Sequence, residues 1–299
     1  MKKWVVLVLA MLASPGLVHA ELKVFACEAE WAELAKQLGG DQVKVESATT
    51  GLQDVHYIQA RPSLIARVRS ADLVVCTGAD LEASWLPLLL RKANNRDVLP
   101  GQPGFLAASK FVTLLEKPEV LDRAAGDIHP FGNPHIQLDP RNIGLVAAEL
   151  AKRLQALDSA HADTYAARYA DFKGRWDSAV DGWATRLQTL QGARLVTYHR
   201  SWVYLFAWAG LVEAGTLEPK PGVPPSSSYL SELLARLKGQ EILGIVHASY
   251  QDSRPSEWLS ERTDIPVLLL PHTVGSTPQV TDLFSMFEIL VSTLEGAAR

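Results

Sequence analysis

The sequence predicts an α/β protein of two lobes, each a mostly parallel sheet flanked by helices, joined by one long helix. Three observations predict it. Strand-like apolar runs alternate with helical patterns in both the first and last thirds of the chain, the order that builds a parallel sheet. Between them, Tyr165, Tyr169, Phe172, Trp176, Val180, Trp183 and Leu187 recur at three- and four-residue steps, an apolar stripe along one helix. Finally, His56, His135, His199 and His272 fall roughly 65 to 80 residues apart, in loops, and only a fold that gathers strand ends could bring them together.

The elements follow in order. Leu22–Ala26 reads as a strand, and a helix near Glu30–Leu38 ends at Gly39-Gly40. Val43–Glu46 is a second strand, and the polar loop Thr49–Asp54 leads to His56. Pro62 opens a helix to about Arg69, as a first-turn proline can. Leu73–Cys76 is a third strand, stopped by Gly78. Residues 100–134 are rich in proline, glycine and turn residues around an apolar stretch, Phe111–Leu115. Asp139-Pro140 starts a helix through about Leu154, and Leu157-Asp158-Ser159 precedes the striped pattern, which runs to about Leu190. About 30 helical residues would span about 45 Å.

Alternation resumes after Gly192. Arg194–Tyr198 is a strand ending at His199, Trp202–Ala209 a helix and Leu211–Ala214 a strand. Ser227 or Ser228 caps a helix to Leu237. Ile242–Ala248 is a strand, about Pro255–Arg262 a helix, and Pro266–Leu270 a strand ending near His272. A helix over about Thr281–Leu294 closes the chain.

The amino terminus reads as a secretory signal peptide: Lys2 and Lys3, the apolar run Trp4–Leu12, then small residues before Glu21. The run is too short to span a bilayer. Cys27 lies too far into a strand to accept a lipid anchor. The expected location is therefore periplasmic, without direct membrane insertion. Removing the signal leaves about 280 residues, long for one core and suited to two lobes. The expected division is a signal peptide over 1–20, a metal-binding lobe over 21–156, a linking helix over 157–191 and a second metal-binding lobe over 192–299. The formal charge of −4 argues against nucleic acid or an anionic membrane as partner. Cys27 and Cys76 each close an apolar run. They form a disulfide if those runs are neighbouring strands, and are two buried thiols otherwise.

In open α/β sheets, ligands bind beyond the carboxyl ends of the strands. His199 follows its strand directly and His272 follows by two residues; both belong on the binding edge of the second lobe. His56 lies after the second strand of the first lobe, and His135 in a turn before a helix. Two histidines per lobe would place one ion in the cleft between them. A lone strand-end histidine is ordinarily structural; four in this arrangement point to metal. His161 reads as solvated and His247 as a core residue; His129 reads as a plain loop residue ahead of the alternative, a helper in metal capture.

Particular stretches then resemble a known family. These are Gly51–Asp54 with His56 and Pro62-Ser63; Ala71-Asp72-Leu73 through Gly78; Gly132-Asn133-Pro134-His135 with Leu138-Asp139-Pro140; Tyr198-His199-Arg200-Ser201-Trp202; and Pro224-Pro225-Ser226. Across essentially the whole mature chain, the sequence resembles the periplasmic solute-binding proteins of zinc and manganese ABC importers, the type with a rigid connecting helix. The resemblance implies that His56, His135 and His199 are metal ligands. It also implies that the chain is a monomeric, non-enzymatic carrier whose partners are a zinc ion and a membrane permease. The family's fourth ligand is often an Asp after the last strand; here His272 stands in its place. It either completes a four-histidine site or turns away to leave room for water. Asp282 is a weaker candidate.

Manganese-type relatives place a carboxylate where His199 stands, and imidazole suits zinc, so Zn2+ is the expected cargo. Asp54, Glu213 and Asp252 are candidates to orient the imidazoles. The competing class is a zinc hydrolase with an open coordination position, but the chain has no HExxH. An adhesin or manganese carrier of the same fold is a third reading. No GxxxxGK[ST] phosphate loop is present, so transport energy would come from the permease's ATPase.

Overall fold

A computed structural model describes residues 21–119, 126 and 129–299. The expected signal peptide lies outside the described residues. Two four-stranded parallel sheets form the framework. The first has the order β2-β1-β3-β4 and is built from β1 (Leu22–Ala26), β2 (Val43–Ser47), β3 (Leu73–Cys76) and β4 (Phe105–Ala107). Helices α1 (Ala29–Gly39), α2 (Pro62–Arg69) and α3 (Leu86–Ala93) connect these strands. The central strand β3 is apolar and buried at every position, as a strand covered by helices on both faces requires, whereas the edge strand β2 carries Lys44 and Glu46.

Helix α4 (Pro140–Leu157) leads into the long α5 (Ala162–Leu187). The second sheet has the order β6-β5-β7-β8. It comprises β5 (Arg194–Thr197), β6 (Val212–Thr216), β7 (Gly244–His247) and β8 (Val267–Leu269), with α6 (Val203–Ala209), α7 (Ser227–Leu237) and α8 (Arg254–Thr263) between them. Helix α9 (Leu283–Ala297) ends the chain. Asp282 caps α9 by accepting from the Ser285 N–H at 2.7 Å, a helix-end role rather than a ligand role.

Two elements were not foreseen, α3 and the edge strand β4. Both are short, and the apolar pattern at Phe111–Leu115 forms no strand. Helix α5 is 26 residues long, about 39 Å, with short turns of tighter helix at each end continuing its path.

The core is shared between the halves. Leu34 and Leu38 of α1, Leu150 and Leu154 of α4, Trp176 and Trp183 of α5, Leu195 of β5, and Met286, Phe287 and Leu290 of α9 belong to one buried cluster. The stripe on α5 is therefore packing. Trp176 stacks on Phe172 at 5.4 Å and meets Phe284 and Phe287 of α9 edge-on at 4.9 and 5.7 Å. Arg186 of α5 pairs with Glu288 and Glu295 of α9 at 2.8 and 2.6 Å. A core crossed by two long helices resists wide hinge opening, because interdigitated packing deforms poorly.

Strands β1 and β3 are neighbours in register, Ala26 opposite Val75. The next pair along the same ladder is Cys27 and Cys76, and they are disulfide-bonded.

Candidate metal centre

His56 sits on a short helical turn after β2. Asp54 opens that turn and accepts from the His56 backbone N–H at 3.0 Å. The same carboxylate lies 2.7 Å from His56 Nδ1. Trp85 fixes the turn from below, its indole N–H donating to the Val55 carbonyl at 2.9 Å. Burial by itself would raise Asp54, but its hydrogen bonds and charge contact with His56 prevail and hold the carboxyl below its usual range.

His135 is presented by the loop before α4. Gly132 in that loop has φ +117°, and an added Cβ would lie 2.7 Å from the Leu115 carbonyl oxygen; conformation and close approach both select glycine. Asn133 then ties the loop across to the second half. Its side chain accepts from the His135 N–H at 3.1 Å and donates to the Arg200 carbonyl at 2.7 Å. Tyr204 of α6 donates its hydroxyl to the Asn133 carbonyl at 2.6 Å.

His199 follows β5 at the carboxyl edge of the second sheet. Glu218, just beyond β6, lies with Oε2 2.6 Å from His199 Nδ1.

The three loops converge. His56, His135 and His199 each offer one ring nitrogen, these nitrogens all lie within 4.8 Å of one another, and all three residues are buried. The ring centroids are 5.5 Å apart for His56–His135, 5.8 Å for His56–His199 and 5.5 Å for His135–His199. With Asp54 and Glu218 accepting from Nδ1–H, the Nε2 lone pairs of His56 and His199 are available to a cation, the arrangement that fixes a ligand's tautomer and raises its basicity. Nε2 of His56 and of His135 are buried without a hydrogen-bond partner. Burial, followed by the neighbouring charges of His56 and His199, pushes His135 well below the usual imidazole range, so it stays neutral and able to ligate.

His272 is close by but outside that trio. Its ring faces Tyr250 at 5.0 Å, and its carbonyl accepts from Gln137 Nε2 at 3.3 Å. Burial pushes its pKa down to about 4. It shares with His135, Gln137 and Tyr250 a cavity of about 30 Å³ that Glu28 and Glu30 also line. His129 lies beside His56, ring centroids 5.4 Å apart. His161 pairs with Asp158 at 2.8 Å, and His247 ends β7.

Of the three expected orienting carboxylates, only Asp54 holds one of the trio's imidazoles through a hydrogen bond. Glu213 accepts from Thr197 and faces Arg200; Asp252 pairs with Arg254. Glu218 was missed, as was the buried acid group behind His135. There Glu28 accepts from the Thr77 N–H and hydroxyl, each at 3.1 Å, and Glu82 accepts from the Gly78 N–H. Glu30 accepts from the Thr273 hydroxyl, which joins the two halves of the chain.

Two parallel sheets whose carboxyl edges bring three buried imidazoles together define a candidate binding site for a divalent metal ion. A sequence profile described as zinc-uptake complex component A, periplasmic (ZnuA), matches residues 24–297, and the chain belongs to that family, the metal-binding solute-binding proteins of ABC importers. Such proteins are non-enzymatic transporter components, which sets aside the hydrolase reading.

The metal ABC transporter substrate-binding lipoprotein ScbA of Streptococcus cristatus is 24% identical over 285 residues, 89% of this chain and 88% of its own. The manganese ABC transporter substrate-binding lipoprotein PsaA of Streptococcus anginosus is 22% identical over 255 residues, covering 83% and 78%. The fold is similar to a crystal structure of ZnuA, with TM-score 0.78, 22% identity and coverage of 94% of this chain and 100% of that one. It is also similar to a manganese-bound periplasmic metal binding protein from Candidatus Liberibacter asiaticus, with TM-score 0.74, 17% identity and coverage of 92% and 99%. Among the described residues no helix is long and apolar enough to cross a membrane.

Proposed function

We propose that this chain captures Zn2+ between its two halves and delivers it to the permease of an ABC importer. The observation carrying this reading is the trio itself: three buried imidazole nitrogens within 4.8 Å of one another, one from each of His56, His135 and His199. Imidazole suits zinc, whereas manganese sites favour carboxylate oxygen. The nearest carboxylates, Asp54 and Glu218, are engaged at Nδ1 of two ligands, where they balance an ion's charge without displacing nitrogen from it. One tetrahedral position remains beyond the trio. The sequence nominates His272 for it, which would require that ring to leave Tyr250.

The expected division of the chain, 21–156 and 192–299 about a 157–191 linker, fits a carrier with ligands on both sides and a stiff connection. The shared core supports local loop movement over wide lobe closure. The protein would work as an exported monomer in the periplasm.

The test is metal content and competitive titration of the tag-free protein with Zn2+ and Mn2+. One tightly held zinc per chain, lost in His199→Ala, is expected. A preference for manganese, or zinc binding indifferent to His199→Ala, would sink the assignment.

A further inference from the structure

We infer that His129 supplies the fourth imidazole to the metal held by His56, His135 and His199. The inference rests on the metal-carrier reading above and deepens it.

The geometry comes from ring positions. Within the trio, ring centroids are separated by 5.5 to 5.8 Å. His129 stands 5.4 Å from His56, the same spacing, so it adjoins the cluster through that ring. His272 faces the Tyr250 ring at 5.0 Å instead, and its carbonyl is held by Gln137. Bringing His272 to the ion means breaking into that packing. His129 adjoins the trio through His56 without yet closing on all three nitrogens, so ligation needs its half-buried side chain to move toward them.

The backbone favours the same choice. The Gly132 N–H donates to the His129 carbonyl at 3.2 Å, closing a turn, and the Asn133 N–H donates to the Leu115 carbonyl at 2.8 Å. Pro130 and Pro134 restrict the chain on either side. His129 and His135 are therefore two imidazoles on one braced loop, which limits the ordering cost of adding the fourth ligand. His135 also feels the charge of His129, after those of His56 and His199. A fourth nitrogen completes the tetrahedral set that zinc prefers.

The experiment compares His129→Ala, His129→Gln and His272→Ala with the unaltered protein. Zinc affinity is read by competition with a chromophoric chelator, and geometry by the visible absorption of the Co2+ form; melting temperature reports on folding. We expect both His129 variants to weaken zinc at least about tenfold, the scale seen even for outer-shell partners. They should also change the Co2+ spectrum while melting as the parent does. His129 variants that bind zinc within about twofold of the parent, with an unchanged Co2+ spectrum, would overturn the inference. Loss confined to His272→Ala would also overturn it and return the fourth position to His272. Absence of zinc binding by the unaltered protein would instead fail the carrier reading, a distinct result.

Discussion

His199 Nδ1 lies 2.6 Å from Glu218 Oε2, and this contact aims the second half's imidazole at the trio. Both side chains are largely buried, 9% and 12% exposed, so the charge-assisted bond is little screened. Removing the charge while keeping the shape isolates its effect. Glu218→Gln is expected to weaken zinc about 10- to 100-fold with the fold intact. Competitive titration beside circular dichroism checks it; an unchanged affinity would mean that the trio alone orients His199.

Sheet register explains why His199 was legible and Glu218 was not. His199 ends a run of apolar residues, so its place at a strand's carboxyl end follows from the sequence. Glu218 follows Leu217 in a segment with no strong alternation. The sequence reading ended β6 at Ala214, whereas the strand continues to Thr216. With Thr197 opposite Thr216 in the parallel pair, two further residues bring His199 beside Glu218. The same limit hid the acid group. Glu28, Glu30 and Glu82 look like ordinary surface residues near helix starts, and only tertiary packing buries them. His129 and His135 were visible as residues, but their approach to His56 depends on a loop whose path no periodicity encodes. The alternating elements and the long helix were legible because 3.6-residue and strand patterns persist there. The core shared through α9 was not, since an apolar helix does not name its partner.

Glu30 gives a pH-dependent prediction. Burial raises it from 4.5 to about 7, against the lowering effect of the Thr273 hydroxyl. Below pH 4.5 both folded and unfolded chains carry the proton. Between 4.5 and about 7 the unfolded chain loses it first, so the stability contributed by the neutral buried group declines and is gone above the folded pKa. Glu30→Gln should therefore raise the melting temperature of the metal-free protein at pH 8, with little effect at pH 4. The ceiling is about 3 kcal/mol. Equal shifts at both pH values would show that folding does not raise the Glu30 pKa.

Trp176 tests the shared core. It is 1% exposed, lies on α5 beside Trp183 and packs against Phe287 of α9. Trp176→Ala should cost about 3–5 kcal/mol. Because one cluster spans both halves, the loss should appear as a single, lower transition in calorimetry. Two separated transitions would mean that the halves unfold independently and that the helices do not couple them.

Tyr204 offers the sharpest separation of loop position from stability. Its hydroxyl donates to the Asn133 carbonyl at 2.6 Å and accepts the Leu115 N–H at 3.1 Å. It thereby ties Leu115 and Asn133 to α6, fixing the chain just after His129 and just before His135. Tyr204→Phe keeps the buried ring and removes only those two bonds. Leaving a partly buried carbonyl and N–H unmatched costs about 1–3 kcal/mol. Some of that cost falls on the fold, and some on the loop's freedom to wander from the ligating position. Asn133 would still bridge to Arg200 through its side chain, so the loop should loosen without detaching. Zinc affinity should then fall several-fold, with a roughly matching rise in dissociation rate, while Glu218→Gln adds its loss independently. A double variant no weaker than Glu218→Gln alone would show that Tyr204 stabilises the fold without positioning the ligands. A loss larger than the sum would place the Asn133 bridge and the His199–Glu218 pair in one cooperative unit.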